Sequence, residues 1–154
     1  QRRARSRLFV QSRVEECTEY QFDHWTTDDG LPQNAVNAIL QTRDGYLWLA
    51  TFDGLVRFDG SRFTVFNKGN TKGIGGNRFD GFFEDRDGAL WAVTEDSWLV
   101  RYQAGVFETY TPKEGLPTWT LLQIGDDEGN LQILSRAGIA KWKDDGFLLT
   151  PSRS

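Results

Sequence analysis

The sequence predicts an all-β fold, a partial β-propeller of about three four-stranded antiparallel blades preceded by one orphan N-terminal strand. The phrase Asp-Gly, hydrophobic residue, Leu, Trp occupies residues 44–48 and returns at 87–91, and a degraded copy lies at 128–132. The copies begin 43 and 41 residues apart, and a repeat of about 40–50 residues built from short strands is typical of propeller blades. No stretch of ten or more residues has the i, i+3, i+4, i+7 apolar spacing of a helix.

Each copy divides into four short strands joined by tight turns. Asp-Gly pairs mark the turns, because Gly takes a positive φ without steric cost and Asp bonds the nearby backbone. Residues 46–50 are nearly all apolar, which predicts a strand buried on both faces, whereas a single charged residue in the third strand predicts a half-exposed position. The predicted strands are 36–40, 46–51, 55–58 and 62–66 in copy one, 79–84, 90–94, 99–102 and 106–110 in copy two, and 121–125, 131–135, 139–142 and 147–150 in copy three.

Residues 1–20 form a basic leader that we expect to be disordered, and residues 21–154 form the incomplete propeller. The first 13 residues contain five Arg and no acid, and their short apolar stretch cannot serve as the core of a signal peptide. Three blades cannot close a ring, so we expect self-association or completion by the remaining blades of a larger protein. The predicted parts of the propeller are a blade-closing strand at 22–27 and blades at about 31–66, 71–110 and 116–150.

Net charge and residue types disfavour several classes of function. A formal charge of −4 and a pI near 5.0 argue against nucleic-acid binding and against contact of this segment with a membrane. No apolar run reaches the length of a membrane span. His24 is the only histidine and Cys17 the only cysteine, so we expect neither a Ser-His-Asp triad nor a multi-histidine metal site within this chain. We therefore expect no catalytic residues, no metal and no cofactor.

Three acidic clusters and one glycine-rich loop are explained by turns. The clusters at 28–29, 84–87 and 126–128 each precede a Gly at a predicted turn, where Asp is favoured. The Asp-x-Asp-Gly sequence at 85–88 is not a calcium loop, because Phe83 stands where the first ligand should be. The glycines at 73–76 are not a phosphate loop, because the third glycine and the Gly-Lys-Ser/Thr that should follow are missing.

The candidate ligand-binding residues are polar and aromatic side chains at one rim of the propeller. The loop that leads into the innermost strand of a blade and the loop between its second and third strands share this rim. Trp48, Trp91 and Trp142 fall within strands and are predicted core residues. Asn, Arg and Trp supply the hydrogen bonds and the flat apolar surface that a carbohydrate-like ligand needs. The predicted rim set is Gln33, Asn34, Asn37, Asn77, Arg78, Trp98, Trp119 and Arg136.

The first repeat resembles the opening repeat of the two-component regulator propeller family. It carries Asp-Gly-Leu-Pro at 29–32, Asp-Gly-x-Leu-Trp at 44–48 and Gly-Leu-x-Arg-Phe-Asp-Gly at 54–60. The resemblance is strong over 22–66, good over 79–111 and loose over 114–149, where Gln132 replaces the expected Trp.

The resemblance implies a periplasmic or extracytoplasmic sensor region whose repeats form one or two ring-shaped propellers. Members of the family carry a signalling output after a membrane span, often a histidine kinase or a diguanylate cyclase, and we expect that output to lie outside this chain. Some relatives sense carbohydrates. The leading hypothesis is a non-catalytic, ligand-binding sensor segment of a bacterial signal-transduction protein. The alternatives are a protein–protein interaction scaffold without a small ligand and, disfavoured by the single histidine, a propeller enzyme.

Overall fold

The computed structural model describes residues 22–117 and 121–151, and within them it confirms the predicted all-β propeller architecture. Twelve strands form three antiparallel four-stranded sheets, in each of which the strands follow chain order. No helix in this described part is long and apolar enough to span a membrane. The strands are β1 Ala38–Gln41, β2 Leu47–Thr51, β3 Gly54–Phe58 and β4 Phe63–Phe66 in blade 1, β5 Phe79–Glu84, β6 Leu90–Thr94, β7 Leu99–Gln103 and β8 Val106–Tyr110 in blade 2, and β9 Leu121–Asp127, β10 Asn130–Ser135, β11 Gly138–Lys143 and β12 Gly146–Pro151 in blade 3.

The blades pack face to face, and each interface is an apolar core. Trp48 lies in the core between blades 1 and 2, where it is 1% exposed, and Trp91 lies in the core between blades 2 and 3, where it is fully buried. Trp142 packs against the second core and is partly buried. The predicted burial of the second strands is therefore confirmed for blades 1 and 2.

The prediction of a half-exposed third strand was wrong for β3. All of its residues except Arg57 are buried, because a neighbouring blade covers one face and residues of the N-terminal segment, Trp25 and Leu31, cover the other. The charge of Arg57 does not indicate a solvent-exposed strand, because its guanidinium lies over the ring of Tyr46 at 4.7 Å. An arginine can thus sit between blades with its charge against aromatic faces.

One aromatic contact recurs at every blade interface. The last aromatic residue of an outer strand packs against the end of the third strand and the start of the fourth strand of the following blade, with ring centroids 5.0–6.5 Å apart. Trp25 makes the same contact with blade 1, so it stands where the outer strand of a preceding blade would end. The three sets are Phe66 with Tyr102 and Phe107, Tyr110 with Trp142 and Phe147, and Trp25 with Phe58 and Phe63.

The predicted strand at 22–27 is less regular than expected. Asp23 is an isolated bridge residue, and a 3-10 helix begins at Thr27 and ends at Asp29. Thr26 and Asp29 form a capping box, in which the Asp29 carboxylate accepts the Thr26 backbone N–H at 2.7 Å. This turn chemistry explains the first acidic cluster, and the second 3-10 helix, Pro112–Glu114, repeats it with Thr111 as its N-cap.

Asp85 explains the acidic cluster at 84–87 in the same way. Asp85 is buried, with a relative exposure of 4%. One carboxylate oxygen accepts the backbone N–H groups of Asp87 and Ala89 at 3.0 and 2.9 Å, and the other accepts the indole N–H of Trp91 at 2.9 Å. Asp85 therefore ties the β5–β6 turn to the core tryptophan of its own blade.

Candidate functional site

The loops between the second and third strands lie at one end of the three blades. The second strand of each blade ends in a Thr or Ser whose hydroxyl is hydrogen-bonded within the hairpin to the third strand. The Thr51 hydroxyl donates to the Gly54 carbonyl at 2.8 Å, and the Ser135 hydroxyl donates to the Gly138 carbonyl at 3.1 Å. In blade 2 the backbone N–H of Trp98 donates to the Thr94 hydroxyl at 3.0 Å. These buried hydroxyls hold the loops between second and third strands at one end of the blades. Ser135 keeps this role although copy three departs from the repeat.

A cleft opens on this rim between blades 1 and 2. Its volume is about 410 Å³, within the range of about 300–1,000 Å³ that small-molecule sites occupy. Two predicted residues, Asn77 and Arg78, line it together with residues that the sequence analysis did not select. We call it the rim cleft, and its lining is Phe52, Lys68, Gly75, Gly76, Asn77, Arg78, Thr94 and Asp96.

Arg78 is the central side chain of the rim cleft. Its guanidinium lies 4.4 Å from the centroid of the Phe52 ring, so a residue of blade 2 stacks on a loop residue of blade 1. The guanidinium also forms an ion pair with Glu95, and both side chains are about half exposed. An exposed pair of this kind contributes little stability. The guanidinium is thus oriented by the ring and the carboxylate yet open to solvent.

Asn77 and Asn34 occupy equivalent positions, and both brace a loop. The Asn77 side-chain oxygen accepts the Lys68 backbone N–H at 2.7 Å, and the Asn34 side-chain oxygen accepts the Thr27 backbone N–H at 3.1 Å. Each amide therefore holds the connection that enters its blade. The Asn77 carbonyl also accepts the Gly54 N–H at 2.8 Å, which joins the loops of blades 1 and 2.

The glycines of the 73–76 loop are packed against blade 2. Gly73 has a φ of +89°, and a Cβ at this position would lie 1.9 Å from the Phe107 carbonyl oxygen. The Gly75 N–H donates to the Thr109 hydroxyl at 2.8 Å, and that hydroxyl donates to the Gly73 carbonyl at 2.6 Å. Gly75 and Gly76 of this loop therefore form a wall of the rim cleft. The Gly75 N–H and the Gly73 carbonyl are already hydrogen-bonded to Thr109 of blade 2.

Of the other predicted rim residues, those that the structure describes do not line the rim cleft. The Asn37 amide donates to the Phe79 carbonyl at 2.8 Å, which joins blades 1 and 2 near their innermost strands. Trp98 is partly buried beside Thr94, and Arg136 is exposed in the β10–β11 turn. Trp119 lies outside the described residues. Gln33 is partly buried, and its side-chain nitrogen has no hydrogen-bond partner among the residues that the structure describes.

Sequence reasoning did not select six of the eight rim-cleft residues, and three of these have an aromatic or charged side chain, Phe52, Lys68 and Asp96. Phe52 had a signal, since a large aromatic residue in a Thr-Phe-Asp-Gly turn has no strand in which to be buried, and it is 37% exposed. Lys68 and Asp96 had none, because exposed charged residues are common in loops. The lining thus combines two cations, one anion and an aromatic ring. Within the described ranges, no group of three or more His, Cys, Asp or Glu residues could hold a metal ion.

Residues 30–53 match the family model described as two component regulator propeller. This segment is similar to a two component regulator propeller repeat. The matched segment contains β1, β2 and the Asp44-Gly45 turn between them, and it includes Phe52 of the rim cleft. A comparison of the chain with curated proteins gives no match.

Solved structures show the same propeller arrangement. The extracellular domain of BT3049 from B. thetaiotaomicron, assigned to a hybrid two component system, is 23% identical with a TM-score of 0.69, and the alignment covers 87% of this chain and 19% of that one. The extracellular domain of BT4673 from the same organism, assigned to a one component system in one structure, is 19% identical with a TM-score of 0.65 and the same coverages. The chain therefore spans about a fifth of the length of these structures, and the likeness establishes the fold of its blades.

Proposed function

We propose that this chain is a non-catalytic sensor segment that binds a small carbohydrate-like ligand in the rim cleft. The observation that carries the proposal is the stack of the Arg78 guanidinium on the Phe52 ring at 4.4 Å. The two propeller neighbours are extracellular domains of signalling proteins. Because these neighbours are extracellular domains of signalling proteins, they support an extracytoplasmic location for this chain and a role in regulation.

The chemistry of the rim cleft suits a polyhydroxylated ligand. Arg78 and Lys68 donate hydrogen bonds, Asp96 accepts them, and Phe52 presents an apolar face to a sugar ring. Because Phe52 and Arg78 come from different blades, a ligand in contact with both restrains blade 1 relative to blade 2. A bound ligand shifts a conformational equilibrium only through such differential contacts, which gives a physical route from binding to a signal.

Titration calorimetry with a broad panel of oligosaccharides tests the proposal. We expect saturable binding of at least one member, and a loss of about tenfold or more in affinity for Arg78→Gln, since a hydrogen bond to a charged group is removed. Arg62→Gln is the matched control, because Arg62 is an exposed arginine in the β3–β4 turn at the opposite end of blade 1. Silence across the panel, or equal affinities of the two variants, would refute the assignment.

The interaction-scaffold alternative has its own observation. Leu134 and Leu148 on the outer face of blade 3 are 39% and 62% exposed. Gln132 stands on that face where blades 1 and 2 carry the core tryptophan. We propose that this face contacts a further blade or a second copy of the chain. It is remote from the rim cleft, so the two functions can be tested separately.

A further inference from the structure

Each of the two described blade interfaces contains an arginine in the third strand, opposite the core tryptophan of the second strand. The surroundings of the two arginines differ. Between blades 1 and 2 the Arg57 guanidinium lies over the Tyr46 ring, and it donates to the Tyr102 hydroxyl of the next blade at 3.2 Å. It also lies 5.8 Å from the ring of Trp48. The arginine of this interface is thus covered by aromatic rings and hydrogen-bonded across the interface.

Between blades 2 and 3 the corresponding arginine is Arg101, and both of these partners are replaced. Ala89 stands where blade 1 has Tyr46, and Trp142, which has no hydroxyl, stands where blade 2 has Tyr102. Arg101 lies over Trp142 at 5.5 Å, donates to Gln103 and lies 3.8 Å from the Glu108 carboxylate. Its buried Nε–H has no hydrogen-bond partner among the described residues. A guanidinium with an unsatisfied donor favours an added acceptor.

A groove of about 610 Å³ opens beside Arg101, at the end of the blades opposite the rim cleft. We call it the lower groove. Arg101 and Arg86 supply cations, Asp144 and Asp145 in the β11–β12 turn supply anions, and Trp142 and Leu148 supply an apolar surface. Lys141 and Asp127 also line it, but their charges are paired at 2.7 Å. Asp144 and Asp145 are exposed and form no ion pair with any residue that the structure describes.

We propose that the lower groove binds a free α-amino acid with an apolar side chain. The carboxylate of the ligand accepts hydrogen bonds from Arg101 and Arg86, a geometry that guanidinium groups favour. Its ammonium group lies against Asp144 and Asp145, and its side chain lies against the ring of Trp142. Arg101, whose Nε–H has no partner among the described residues, and Asp144 and Asp145, which form no ion pair there, place charges of both signs beside the Trp142 ring. This arrangement matches a zwitterion better than an anion or a neutral sugar. This site is distinct from the rim cleft and does not depend on the proposed sugar binding.

Three matched probes test the proposal on the intact chain by titration calorimetry. They are L-phenylalanine, 3-phenylpropionate, which lacks the ammonium group, and phenethylamine, which lacks the carboxylate. We expect phenylalanine to bind saturably, and each of the other two to bind about tenfold or more weakly, since each loses its contacts with charged groups. Equal binding of phenethylamine and phenylalanine would overturn the role of Arg101. Absence of saturable binding by phenylalanine, with leucine and tryptophan equally silent, would overturn the site.

Variants assign the binding to the lower groove. Asp145 has a φ of +57°, which Asn accommodates well, so Asp145→Asn keeps the turn while removing the charge. We expect it to weaken phenylalanine binding without changing the weak binding of 3-phenylpropionate. Asp53→Asn, in an exposed turn at the rim end, is the control and leaves both affinities unchanged. Arg78→Gln also leaves phenylalanine binding unchanged, whereas a loss there would relocate the ligand to the rim cleft and refute the proposal.

Discussion

Replacing Asp85 by Asn removes one acceptor from a buried network without changing the size of the side chain. The Asp85 carboxylate uses both oxygens, one for two backbone N–H groups and the other for the indole N–H of Trp91. Asn has a single side-chain oxygen, so in either orientation of its amide at least one buried donor faces an NH₂ group. Leaving a buried donor without an acceptor costs about 1–3 kcal/mol. We therefore expect the free energy of unfolding to fall by about 2 kcal/mol.

Urea denaturation followed by circular dichroism measures this loss. For a slope of about 1–3 kcal/mol per molar urea, the midpoint falls by about 1 M. Asp87→Asn is the matched control, because Asp87 belongs to the same turn and is exposed, and surface substitutions usually change stability by less than about 0.5 kcal/mol. In an amide spectrum with ¹⁵N-labelled tryptophan, the Trp91 indole resonance moves in Asp85→Asn alone. Equal midpoints for the two variants, with the indole resonance unmoved, would refute the reasoning.

Three further predictions concern backbone space, ionisation and association. Gly73→Ala destabilises the chain by about 2 kcal/mol or more in urea denaturation, because its Cβ would lie 1.9 Å from a backbone carbonyl oxygen. Gly45→Ala, at a similar positive φ but in open space, lowers the free energy of unfolding by less. Equal losses of stability in the two variants would refute the steric reason. Burial and the neighbouring Glu108 raise the pKa of Tyr110 to about 12, so its contribution to stability is complete below about pH 10 and is lost as the pH rises through 12. Tyr110→Phe removes that loss and the tyrosine transition near pH 12 in the ultraviolet titration, and a titration unchanged by the substitution would contradict the assignment. Leu148→Lys reduces self-association in light scattering, since it charges the outer face of blade 3, and an unchanged mass distribution would exclude that face.

The strand limits were predictable because they depend on local chemistry. Strands β5, β6 and β8 have the predicted bounds, and the others differ by one or two residues at their ends. Asp29 and Asp85 were correctly assigned to turns, since both bond backbone groups within a few residues. Glu84, in the same cluster as Asp85, ends strand β5 and bonds Arg43 of blade 1 instead. Apolar runs and Asp-Gly pairs are both short-range signals.

The burial of β3 was not predictable from its own residues. Arg57 is charged and therefore indicated solvent, but its environment is made by Tyr46 and by Tyr102, which lies 45 residues further along the chain. Arg101 stands in the same repeat position and keeps an unsatisfied Nε–H, because Ala89 and Trp142 replace those tyrosines. The same Leu-Val-Arg sequence at 55–57 and 99–101 thus lies in two environments. One replaced position, Tyr46 or Ala89, belongs to the arginine's own blade, and the other, Tyr102 or Trp142, belongs to the next blade.

The sequence by itself determined that this protein is built from propeller blades, how many strands each described blade has, and which tryptophans of blades 1 and 2 fill the interfaces, because all of these follow from a periodic pattern of local signals. Tertiary structure decided which side chains meet. It brought Arg78 of the predicted rim onto Phe52, placed Asn34 and Asn77 as braces for loops, and opened a groove beside Arg101. These contacts join residues of different blades, or an amide to a loop several residues away, so they exist only once the blades have packed.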